Sequence, residues 1–72
     1  MSQTINARGL SCPQPVLMTL KAIKQTDTGR LVVLVDTDTA KENVSRAAAG
    51  QKWEVENIET DGDGYSLTLR KD

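Results

Sequence analysis

The sequence predicts an α+β fold: a two-layer α/β sandwich of order β-α-β-α-β-β, with a four-stranded mixed sheet and both helices on one face. Three observations carry this expectation. Two stretches repeat apolar residues at helical spacing, and four others alternate or run apolar at strand length. Each helical stretch offers a single apolar stripe, which one face of a sheet buries most simply.

Residues 4–8 alternate, with Ile5 and Ala7 on one side and Asn6 and Arg8 on the other, and read as a short strand closed by Gly9. Past two prolines, Val16, Leu17, Leu20 and Ile23, broadened by Met18, mark a helix reaching about Gln25. An Asp27-Thr28-Gly29 turn leads into Leu31-Val32-Val33-Leu34-Val35, an apolar run rich in β-branched residues that suits a strand central to its sheet. Thr39 followed by Glu42 fits a capping box, with Ala40, Val44, Ala47 and Ala48 on the buried side of a second helix and Gly50 as its stop. Trp53 with Val55, and Tyr65 with Leu67 and Leu69, then alternate about an Asp61-Gly62-Asp63-Gly64 turn, predicting a final hairpin. Ile58 falls out of phase with Val55, which predicts a bulge near Glu56 and Asn57.

With both helices on one side, the opposite sheet face is bare, and Val32 and Leu34 stand there beside polar neighbours. Such a face is either a docking surface, including weak self-association, or a place where a small domain tolerates exposed aliphatics.

Seventy-two residues form one domain, 1–72, and a chain this short buries only about three fifths of the surface exposed on unfolding. One cysteine and no histidine exclude an internal disulfide and an ordinary zinc cluster, so packing alone has to hold the fold. No cofactor is expected. Nine basic and ten acidic residues leave a net charge of −1 without a basic cluster, which argues against direct nucleic-acid binding. The apolar run 31–35 is too short to span a bilayer and residues 1–4 lack a leader pattern, so a cytoplasmic protein without membrane attachment is expected.

The chemistry-bearing feature is Cys12 in Cys12-Pro13-Gln14-Pro15. A thiol just before a helix meets unpaired N–H groups and the positive end of the helix dipole, both of which favour thiolate. Each proline fixes its own φ and pushes the preceding residue out of helical geometry, so Cys12 is held extended. The helix then begins either at Pro15 with Gln14 as cap or at Pro13. Without a histidine there is no general base for a Cys-His hydrolase, and without a second cysteine there is no internal dithiol cycle. What remains is chemistry that one thiolate performs alone, namely accepting a sulfur atom as a persulfide and passing it on. Arg8, across the loop, is placed to steer a negative persulfide or partner, or is simply solvated. The alternatives are a non-catalytic regulatory or binding module in which Cys12 only packs, and a selenium carrier, since selenide chemistry can use the same thiolate.

The run Ala7-Arg8-Gly9-Leu10-Ser11-Cys12-Pro13-Gln14-Pro15-Val16 resembles the signature of the TusA/SirA-like sulfur carriers, which share a Cys-Pro-x-Pro motif. The resemblance extends over nearly the whole chain. Lys41-Glu42-Asn43-Val44-Ser45-Arg46 and Trp53-Glu54-Val55 are similar to the TusA-like domain of YedF-type proteins, which are associated with selenium metabolism. It implies a sulfurtransferase with Cys12 as the catalytic residue and with Pro13, Gln14, Pro15, Arg8 and Gly9 positioning it. It further implies a cysteine desulfurase or rhodanese-like donor and a DsrE-like or other acceptor, towards tRNA thiolation or other sulfur metabolism. YedF-type proteins usually continue into a second domain, so a separate partner or a longer chain would supply that part here.

Overall fold

The computed structural model describes residues 2–10, 14–26 and 29–71, the side chains of Ser2 and Asp61 excepted. The elements are β1 (Ser2–Asn6), α1 (Gln14–Gln25), β2 (Gly29–Val35), α2 (Asp38–Gly50), β3 (Glu54–Asp61) and β4 (Gly64–Lys71). The order is the expected one. The sheet runs β1-β2-β4-β3, with β1 parallel to β2 and β4 antiparallel to both of its neighbours. Hence β1, β2 and β3 all point the same way, and β4 is slotted between two of them.

The apolar run predicted to be central is β2, flanked by β1 and β4. Leu31, Val33 and Val35 are fully buried, as are Leu67 and Leu69 opposite them on β4. Ile5, Ala7, Ala22, Ile23, Val44, Ala48 and Trp53 complete this core. Burying each large aliphatic side chain stabilises the fold by about 1.5–3 kcal/mol, the main resource of a chain without cross-links. On the other face, Val32 and Leu34 are half-buried beside Thr4, Asn6, Ser66 and Thr68. Arg30 holds Glu56 there through two contacts of 3.0 and 3.2 Å. No helix among the described residues is long and apolar enough to cross a membrane.

Four local expectations need correction. The first strand runs over Ser2–Asn6 rather than 4–8, because β2 already begins at Gly29 and offers partners from Ser2 onward. Ala7 keeps one bond, its N–H to Leu34 O at 2.9 Å, and the Asn6 side chain then accepts from Arg8 N and turns the chain. Ile5 and Ala7 are buried and Asn6 and Arg8 exposed, as the alternation requires.

The buried face of α1 is rotated from the leucine stripe. Pro15, Thr19, Ala22 and Ile23 are buried and Val16 and Met18 pack against the core, whereas Leu20 is half-buried and Leu17 is 53% exposed. Small side chains let the helix approach closely, and Thr19 tolerates full burial because its hydroxyl donates to Pro15 O at 2.8 Å.

The cap of α2 is Thr37, not Thr39: the Thr37 hydroxyl accepts from Ala40 N at 3.0 Å. Val44 and Ala48 are buried as expected, while Ala40 and Ala47 are only half-buried. The helix ends at Gly50 as expected, but the left-handed position that closes it falls on Lys52, at φ 67°. Lys52 N donates to Ala49 O at 3.0 Å and Trp53 N to Ala48 O at 2.9 Å, the paired bonds of a Schellman closure.

The hairpin and its bulge are as expected. The register shifts between Val55 and Asn57, and Gly62, at φ 62°, takes the first central place of the turn between Asp61 and Gly64. Asp27 and Thr28 of the expected turn lie outside the described residues.

Two glycine substitutions should act with opposite sign in chemical denaturation. A methyl at Gly50 meets nothing within 4 Å, so Gly50→Ala should stabilise by about 0.5–1 kcal/mol. A methyl at Gly64 would collide with the Val35 carbonyl oxygen on the neighbouring strand, so Gly64→Ala should destabilise by roughly 1–3 kcal/mol.

Candidate functional site

Three parallel strands put their carboxyl ends at one edge of the sandwich. From the end of β1 the chain runs through the loop that contains Cys12 into α1, and from the end of β2 it passes through Asp36 and Thr37 into α2. Both helix starts therefore lie at the same end as the loop.

The loop is tied down by a residue that the sequence reading missed. Gly9, at φ 77°, turns the chain so that its N–H reaches Asp36 Oδ2 at 2.8 Å. A left-handed φ is cheap only for glycine, which explains the Arg8-Gly9 pair. The signal was Asp36-Thr37 directly after a strand, a cap-like pair that the capping-box pattern at Thr39 obscured. Arg8 is exposed, and its Nε donates to Asn6 Oδ1 at 3.2 Å.

Cys12 and Pro13 lie outside the described residues. Gln14, exposed, opens α1, between the two registers considered, and Pro15 is buried as its second residue. Leu10 is 40% exposed and lines a cleft of about 50 Å³ with Pro15, Val16, Thr37, Thr39, Ala40 and Asn43.

The two helix starts differ in charge. The first turn of α2 holds Asp38, which satisfies its positive dipole end, whereas the first turn of α1 holds no acidic residue. The positive end of α1 is thus left for an anion arriving from the adjoining loop. Asp38 also accepts a hydrogen bond from Tyr65 Oη, and Lys41 Nζ sits 4.6 Å above the Tyr65 ring. Trp53 is core packing and Tyr65 braces the start of α2.

The geometry defines a class before it defines a family: a two-layer β-α-β-α-β-β domain whose first helix carries no acid in its opening turn. The family model described as Sulfurtransferase TusA matches residues 3–71. The chain belongs to this family of sulfurtransferases and sulfur carriers. A crystal structure of a SirA-like protein from Desulfitobacterium hafniense is similar at 33% identity and a TM-score of 0.86, covering 94% of this chain and 95% of that one.

The bond to Asp38 is the main cause that raises the Tyr65 pKa above its ordinary 10.0, with desolvation and the carboxylate charge adding to it. The folded protein therefore holds this proton more tightly than the unfolded chain. That contribution to stability is intact below pH 10 and is lost as pH rises through the raised value. Absorbance titration of this single tyrosine should show late ionisation, moving back towards the ordinary value in Asp38→Asn.

Proposed function

We propose that Cys12 carries sulfur as a persulfide between protein partners. The observation that supports this reading most is the charge difference between the two helix starts. The start of α2 is filled by Asp38, while that of α1, which the Cys12 loop enters, has no acid in its first turn and so favours a sulfur anion. The bond from Gly9 to Asp36 fixes the near side of the loop, and Pro15, buried, fixes the far side.

In loading, the Cys12 thiolate attacks the outer sulfur of a donor persulfide. A sulfur–sulfur bond forms at Cys12, and the bond in the donor breaks, releasing the donor as a thiolate. In delivery, an acceptor thiolate attacks the outer sulfur of protonated Cys12-S-SH, and Cys12 leaves as a thiolate ready for another cycle. No net oxidation or reduction occurs in either step. Donors of the cysteine desulfurase or rhodanese type, and acceptors of the DsrE type, have the chemistry this cycle needs. A route towards tRNA thiolation would then modify RNA through an acceptor rather than by direct contact. Gln14 and Pro15 set the helix entry, and Arg8 adds a positive charge beside the loop.

The test is intact mass after incubation with a cysteine desulfurase and cysteine. The protein should gain about one sulfur atom, lost again on reduction, as expected for a reversible cap on a reactive thiolate. Cys12→Ala should gain none while keeping its thermal unfolding transition. A normal sulfur gain on that variant would reject the assignment.

A further inference from the structure

The two outer edges of the sheet are built differently. At one, β3 carries Glu54, Glu56 and Glu59, and its register breaks between Val55 and Asn57. Charge and a bulge are ordinary devices that keep an edge strand from pairing with another molecule. At the other, β1 is Ser2-Gln3-Thr4-Ile5-Asn6, without a charge, a proline or a break in register. Among the described residues it is bonded only to β2.

The register fixes which backbone groups of β1 are spare. Ala7 N donates to Leu34 O across the parallel pair, and backbone groups alternate in direction along a strand. Gln3, Ile5 and Ala7 therefore turn their N–H and C=O groups to β2, while those of Ser2, Thr4 and Asn6 point outward. These three positions are symmetric about Thr4. Beside them, a hollow of about 330 Å³ opens between β1 and α1, lined by the buried Ile5 and Ala22, by Met18 and by the exposed Gln3, Lys21 and Gln25.

We propose that the outer edge of β1 is a self-association surface, on which a second copy of this chain pairs its own β1 antiparallel about a two-fold axis at Thr4. In that register Thr4 faces Thr4 and Ser2 faces Asn6, and each facing pair exchanges two hydrogen bonds, so every outward group is satisfied. On the helix side, Gln3 of one copy stands across from Ile5 of the other, over the hollow. The two four-stranded sheets join into one. Symmetry selects the occupant. An uncharged strand that is its own complement closes a dimer, whereas pairing β1 with β3 would chain copies head to tail and meet the bulge. The contact is roughly 17 Å long and about 20 Å deep across both layers, hence roughly 340 Å² on each copy, against ~800 Å² for a standard interface. Association is therefore weak and driven by concentration. It does not depend on the carrier reading, because the pairing uses only β1 and its flank.

Amide exchange and sedimentation in reducing buffer test this. The Thr4 and Asn6 amides should exchange fast in dilute protein and become several-fold more protected near ~1 mM as the dimer forms, with Ile5 and Ala7 protected throughout. Both copies bring Lys21 to the junction, so ~0.5 M salt and Lys21→Gln should each tighten the dimer. Thr4→Pro removes an outward N–H and costs the monomer no ladder bond, so it should abolish association with the fold intact. Thr4→Lys sets like charges opposite each other and should weaken the dimer at least about tenfold. A strict monomer at that concentration would overturn the proposal. So would a dimer that both Thr4 variants retain, one that Val32→Ser dissolves in their place, or one that salt weakens.

Discussion

Burial of β2 is the constraint on which the remaining architecture depends. Leu31, Val33 and Val35 are fully enclosed, and the residues that enclose them come from every other layer of the fold: Ile5 on one side, Leu67 and Leu69 on the other, and Ala22, Ile23, Val44 and Ala48 from the helices. Because β4 enters antiparallel between β2 and β3, the three strands that precede or follow a helix stay parallel. Two helices that each follow a parallel strand must start at the same end of the sheet. The position of Leu10 beside the start of α2 is therefore a consequence of core packing.

Two adjacent helix starts concentrate positive potential, and the chain resolves them differently. At α2, Thr37 satisfies Ala40 N and Asp38 supplies a negative charge, with Lys41 and Tyr65 packed around it. At α1 the first turn is Gln14-Pro15-Val16-Leu17, without an acid. The first arrangement stabilises the fold; the second leaves the positive end of α1 without a negative charge in its own first turn. Asp36 stands between them and holds Gly9, so the loop is anchored by the strand end that also launches α2.

Membership in the TusA family accounts for a sulfur carrier role and for the economy of the domain. A carrier needs one reachable sulfur and surfaces that other proteins recognise, and the segregation of charge along the chain gives the β1–α1 unit a distinct character from the acidic β3 edge. The open sheet face has another character again: its two aliphatics, Val32 and Leu34, are half-buried among hydroxyl and amide side chains, and the Arg30–Glu56 pair closes one end.

The sequence by itself determined the element order, the central place of β2, the bulge beside Glu56 and the final hairpin. Those features are set by short-range periodicity and turn chemistry. Only tertiary structure decided which side of α1 faces the sheet, since a buried Thr19 satisfied by Pro15 O and a small Ala22 allow a closer approach than the leucine stripe would. It also decided that Thr37 rather than Thr39 caps α2, that Lys52 rather than Gly50 takes the left-handed position, and that Asp36 reaches back 27 residues to hold Gly9. A contact between residues so far apart in sequence follows from where the strands place their ends, and no local pattern encodes that placement.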